Sequence, residues 1–253
     1  MIGYIIALVI ACILVAIVLF YIIMYKKVYI LDDNITYKVL VARPNKHTAL
    51  KILYDLNHNS MDLIKNIKNK YADRLKLIKV DKLTESTMSM IANSDLLPTE
   101  IRGIVGVTPA FNATEPDTCD ECIKLILQNY NPDLLVENDP MFTFGDKTYT
   151  LNFRRIAICI RNKNWTFYDF NTLMFVFLHE IAHTGTHTRF LTINGKRDNH
   201  PPMFWRIFKF LLKEAVAFGY IVPIEYSKNN YITYCGINIQ NNPLFDNSIK
   251  DLI

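Results

Sequence analysis

The strongest constraint on this chain lies at its N-terminus, where Ile2–Tyr25 contains no charged residue. A helix rises 1.5 Å per residue, so such a run reaches about 36 Å, enough to cross a hydrocarbon core of ~30 Å with some tilt. Tyr4 stands near one end of the run, with Tyr21 and Tyr25 near the other, where amphipathic rings favour the membrane interface. A cleaved signal peptide would have a shorter apolar core, a basic stretch before it and small residues at a cleavage site. Here the run starts at once and ends in Lys26-Lys27. The expectation is one retained transmembrane helix over 1–27, so that the protein is a single-pass membrane protein. The positive-inside rule applied to Lys26 and Lys27 puts the main domain in the cytosol. Asn-x-Thr sequons at Asn34, Asn112 and Asn164 point the other way, since they are usable only on the lumenal side.

The rest of the chain has the means to fold. Of its 253 residues 51% are hydrophobic, which supports a sizeable core and excludes wholesale disorder. A net charge of +4 from 28 basic and 24 acidic residues, interspersed without a basic tract, makes nucleic acid an unexpected partner. The five cysteines are odd in number, and Cys12 falls inside the apolar run, which does not resemble a secreted disulfide framework. Cys119 and Cys122 have CxxC spacing with no second pair to complete a four-thiolate site. They read as two ordinary thiols near a helix start, with a redox pair or a small metal site as alternatives. Reduced thiols would agree with a cytosolic domain.

Periodicity sorts the soluble part into a helical N-terminal part over 28–140 and a second part over 141–253. The stretch 28–41 alternates loosely and suits a strand or a connector. Over 46–71 the apolar positions fall at helical intervals, with a break near Asn57-His58-Asn59-Ser60 that predicts two helices, the second capped at Ser60. His47 and His58 lie here without a second ligand at helical spacing and read as surface residues. Residues 84–120 are largely loop-like, and 122–129 form a short helix. A hairpin is expected over 141–151 around Gly145-Asp146, followed by a compact apolar strand over 155–161. Asp169 or Asn171 can cap the next helix, which runs into His179 and ends with Gly185 as its C′ residue. After a polar loop over 186–199, Pro201-Pro202 opens an amphipathic helix that ends near Gly219. Strand-like runs over 220–226 and 231–239 complete the chain.

The chemistry concentrates in His179-Glu180-Ile181-Ala182-His183. On a helix, residues four apart share a face, so the two imidazoles suit a single tetrahedral zinc ion. Glu180 is turned by roughly 100° from His179 and is free to act as a general base towards a water polarised by the metal. A catalytic zinc needs a third protein ligand and one open position. His187 continues the series, but the helix is expected to stop before it, and the longer metzincin spacing is absent. His200, just ahead of a new helix, is the preferred third ligand. The bland alternative is a capped helix with solvent-facing histidines.

These residues resemble the WLM family of zinc metallopeptidases and, more distantly, the SprT-like proteases. The resemblance rests on Tyr-Asp-Phe-Asn-Thr-Leu-Met (168–174), Leu-His-Glu-Ile-Ala-His (178–183), His200 with Phe204-Trp205, and the Ile-Cys-Ile-Arg strand (158–161), which is similar to members from large DNA viruses. It implies an α+β, zincin-like metallopeptidase domain with a small sheet and an active-site helix. It also implies that His179, His183 and His200 bind Zn2+ and that Glu180 is catalytic. Asn199 and Pro201-Pro202 around His200 depart from the family pattern, so the loop is reshaped. The expected function is membrane-anchored, zinc-dependent hydrolysis of peptide bonds in a protein or peptide substrate. Its rivals are a catalytically idle membrane or virion scaffold and a membrane receptor with an accidental motif.

Overall fold

The computed structural model describes residues 2–41, 43–76, 119–141, 148–151, 154–185, 191–193, 196–198 and 200–253. The apolar N-terminal run is a single helix, α1 (Ile2–Tyr25). Its side chains are described over 3–19, where large residues from Ile5 to Leu19 are at least half exposed. Among the described residues no helix is long and apolar enough to cross a membrane.

The chain leaves α1 without a linker and enters β1 (Lys26–Ile30), which pairs antiparallel with β2 (Thr36–Leu40). A mixed five-stranded sheet follows, completed by β3 (Leu134–Glu137), β4 (Tyr149–Leu151) and β5 (Arg155–Ile158) in the order β1-β2-β3-β5-β4. The β2-β3 and β3-β5 pairs are parallel and β4-β5 is antiparallel, which leaves β4 at one end of the sheet. The fold is mixed α and β with a small sheet, as expected. Strands from the 28–140 and 141–253 parts share this one sheet.

Helices α2 (Lys46–Lys70), α5 (Phe170–Ala182) and α6 (Pro202–Ala217) pack into one apolar core with the sheet; α3 (Ala72–Lys76) and α4 (Asp120–Asn129) lie between α2 and β3 in sequence. The expected break within α2 does not occur. Asn57 and Ser60 face the core of a continuous helix instead, where Tyr130 Oη donates to Asn57 Oδ1 at 2.9 Å and Ser60 Oγ lies 4.0 Å from Met174 Sδ. Satisfied polar groups can sit on a buried face, so their polarity marks a contact here and not a helix end.

Two further expectations need correcting. The cysteines pair as Cys119–Cys122 and Cys159–Cys235, with Cys12 free, so they are not ordinary thiols. The second pair closes a separation of 76 residues, which no local spacing could reveal. Closing a loop of that length stabilises the fold by up to about 4 kcal/mol. Disulfides persist in oxidising settings, so the thiol argument for a cytosolic domain falls away. The run over 220–226 forms no strand, while 231–239 folds into the hairpin β8 (Ile232–Tyr234) and β9 (Ile237–Ile239) around Cys235-Gly236. Asn171 explains the first result: its side chain bonds both the N–H and the C=O of Val222 and holds this segment against the start of α5. Within the expected polar loop over 186–199, a short hairpin pairs β6 (Leu191–Ile193) with β7 (Lys196–Asp198). The turn expected over 142–147, and most of 84–120, lie outside the described residues.

A buried ion pair ties the strands of the sheet together. Arg161 Nε donates to Glu137 Oε1 at 2.7 Å with both side chains fully buried. The other carboxylate oxygen accepts from Leu40 N at 2.8 Å, and Arg161 Nη1 reaches Pro44 O. The carboxylate thus joins the ends of β2, β3 and β5, which compensates its desolvation with charge-assisted bonds.

Candidate metal centre

Three histidines from two neighbouring segments converge. Helix α5 begins where Asp169 Oδ1 accepts from Thr172 N at 2.9 Å, so Asp169 and not Asn171 is its cap. It ends at Ala182 and tightens into a 3-10 turn, His183–Gly185. His183 keeps helical angles (φ −60, ψ −26), so His179 and His183 still share one face. Gly185 is not the left-handed C′ residue expected, because among the described glycines positive φ occurs at Gly219 and Gly236. Its requirement is space: a Cβ there would lie 2.7 Å from Ile126 Cγ1. This close approach, with Asn129 Nδ2 donating to Thr184 O at 3.0 Å, fixes the turn that carries His183 against α4.

His200 arrives from the segment just before α6. Its Nε2 is 3.1 Å from His179 Nε2, and one ring nitrogen from each of His179, His183 and His200 lies within 4.8 Å of the others. Ligands at 2.0–2.1 Å from a tetrahedral ion stand about 3.3 Å apart, so small ring movements suffice to hold one. The three could therefore bind a metal ion, and neutral imidazole is a suitable donor for several transition metals. His47 and His58 are not part of the cluster; His58 instead faces Asp62 at 3.5 Å. His187 lies outside the described residues.

The setting keeps the His179 and His183 rings uncharged. Phe204 of α6 is fully buried, and its ring centroid lies 4.5 to 4.8 Å from those of all three imidazoles. Phe208 adds a second apolar contact to His179 at 5.3 Å. Burial, followed by the neighbouring His183 and His200, holds the His179 pKa well below its usual value. Burial and then His200 lower that of His183 to about 4. Both groups are thus neutral at pH 7, the form that ligates a metal.

The sign of the pH effect follows. A histidine with a depressed folded-state pKa takes up its proton more readily when unfolded. Stability is therefore complete above about pH 6.5 and falls as the pH drops towards 4, by up to ~1.4 kcal/mol per pH unit for each such histidine. Chemical denaturation of chelator-treated protein at pH 7 and pH 5 is expected to show this loss. His179→Gln, which removes one titrating ring, should flatten it.

Glu180, on the same turn, is 3% exposed. Thr150 Oγ1, on the end strand β4, lies 2.9 Å from Glu180 Oε2 and 3.1 Å from Glu180 O. Sequence reasoning passed over Thr150 and the role of Phe204. A threonine in a short strand and a phenylalanine on an amphipathic helix carry no signal of a site. In the tail, Tyr234 is buried with Oη 3.1 Å from Thr148 Oγ1, and the Glu180 charge is among the causes of its raised pKa, after burial. Tyr220 bonds Asn66, Tyr226 packs on Phe175, and Tyr231 is exposed.

No family model matches the chain, and no solved structure matches it. Three viral proteins are similar over part of their length. The chain is 37% identical over 78 residues to "Uncharacterized protein 136R" of Invertebrate iridescent virus 6, a match covering 30% of this chain and 39% of that protein. It is 35% identical over 100 residues to "Uncharacterized protein 042R" of Invertebrate iridescent virus 3, covering 39% and 57% respectively. It is 31% identical over 87 residues to "Uncharacterized protein R325" of Acanthamoeba polyphaga mimivirus, covering 34% and 39%. The matches span between about two fifths and three fifths of these curated relatives.

Proposed function

We propose that this chain is a zinc metallopeptidase of WLM-like, zincin-like type, anchored in a membrane by Ile2–Tyr25. The observation that carries the reading is the convergence of His179, His183 and His200 beside the buried carboxylate of Glu180. Three imidazoles match the protein donor set of a catalytic zinc, whose fourth position is left to water or substrate. A bound Zn2+ supplies Lewis acidity and lowers the pKa of water in its open position towards ~7.

The chain's own residues do the remainder. His179, His183 and His200 hold the ion, and the Phe204 wall excludes bulk water from behind the imidazoles. Glu180 takes the proton from the attacking water and passes it to the departing amine. The end strand β4 adjoins Glu180 through Thr150 and can receive an extended peptide by strand addition, which suits a protein or peptide substrate.

The anchor supports a membrane-bound setting: the run carries no charge over 24 residues, and α1 passes directly into β1. Confinement to the surface raises the local concentration of substrates there. The test is peptidase activity of the full chain in detergent, assayed on an unfolded protein substrate. Activity should disappear with a zinc chelator and return on addition of zinc; cleavage that resists chelation would refute the reading.

A further inference from the structure

We propose that Thr150 is a positioning residue: its hydroxyl fixes the Glu180 carboxylate in the orientation that proton transfer requires. The inference rests on the metallopeptidase reading and adds the residue that sets the geometry of its base. Glu180 is 3% exposed, and a buried carboxylate needs hydrogen bonds to compensate its lost solvation. Thr150 Oγ1 has one proton and two oxygens in range, Glu180 Oε2 at 2.9 Å and the Glu180 carbonyl at 3.1 Å. The shorter of the two contacts is the one to the carboxylate oxygen. Holding Oε2 restricts rotation of the carboxyl group and leaves Oε1 in a defined place. A base held in this way avoids the loss of correctly oriented states that a freely rotating carboxylate suffers.

The position of Thr150 is itself determined. Thr148 immediately precedes β4, two residues before Thr150. The hydroxyl of Thr148 meets Tyr234 Oη at 3.1 Å. Tyr234 is buried at the end of β8, one residue before Cys235, whose sulfur is bonded to Cys159 next to β5. Cys235 N also donates to Tyr168 Oη at 2.7 Å. The strand therefore cannot slide along α5 without breaking the Tyr234 contact. The edge strand delivers one hydroxyl to the base and uses the other to hold itself in register.

The test compares Thr150→Val, which keeps the shape and removes the donor, with Thr150→Ser, which keeps the donor. Full-length protein in detergent is used throughout, with zinc content and thermal unfolding measured on each variant. The valine variant should retain one zinc per chain and a KM within about twofold of wild type, while kcat falls about 30-fold, a part of the roughly 10²- to 10⁴-fold that a general base contributes. The serine variant should restore kcat to within about threefold. A second readout needs no turnover: affinity for a small hydroxamate, whose hydroxyl group bonds a carboxylate placed like Glu180, should weaken about tenfold in Thr150→Val and recover in Thr150→Ser.

If wild type binds zinc and hydroxamate but cleaves nothing, the peptidase reading fails, while the hydroxamate series still decides the role of Thr150. Equal hydroxamate affinity in wild type and Thr150→Val, or a Thr150→Ser variant as impaired as Thr150→Val, would overturn the proposal.

Discussion

Replacing Glu180 by Gln is expected to lower kcat by about three orders of magnitude while leaving the bound zinc in place. The amide is nearly the same size and can still receive the Thr150 hydroxyl at its oxygen, so packing changes little. What it loses is the ability to accept a proton, which general acid–base catalysis values at roughly 10²- to 10⁴-fold. Metal affinity should stay within a few-fold because the three imidazoles hold the ion. The split between lost turnover and retained metal separates a working peptidase from a zinc-holding scaffold. A variant that cleaves as fast as wild type would show that Glu180 is not the base.

The second large effect concerns the third ligand. His200→Ala is expected to weaken zinc binding on the order of 10³-fold, while His187→Ala leaves it unchanged. Zinc bound by a full ligand set is worth about 10–16 kcal/mol, so each ligand accounts for roughly 3–4 kcal/mol. The His200 ring lies 3.1 Å from that of His179, and its own ring also stacks near Trp205 at 5.6 Å. Isothermal titration of metal-stripped full-length protein measures both variants. Loss of zinc in His187→Ala alone would transfer the ligand role to that residue.

The convergence of His179, His183 and His200 was legible because its signal is local. Four-residue spacing on a helix fixes two rings by geometry, and His200 stands out as a histidine leading into a packed helix. The place of Glu180 on the same turn was legible for the same reason. The contact that Thr150 makes with it was not. Thr150 lies 30 residues upstream of Glu180 and meets it only because β4 folds back antiparallel onto β5. Strand β3 escaped notice as a four-residue segment, too short for alternation to register. Yet it joins β2 to β5 and so sets the order of the sheet.

The polar residues of α2 misled in the other direction. Asn57 and Ser60 resemble a helix break in sequence, but their partners Tyr130 and Met174 come from distant elements. The Cys159–Cys235 bond is a third case, invisible to any window shorter than the 76 residues that separate its ends. Local periodicity specified helices and a site on one of them, whereas the contacts that tune the site depend on chain reversals that periodicity does not encode.

Anomalous diffraction at the zinc edge, from crystals of the full chain grown without added metal, tests the central claim most directly. One peak is expected, about 2.0–2.1 Å from a ring nitrogen of each of His179, His183 and His200. A zinc peak held elsewhere, or a well-ordered site whose three imidazoles bond only one another, would contradict it.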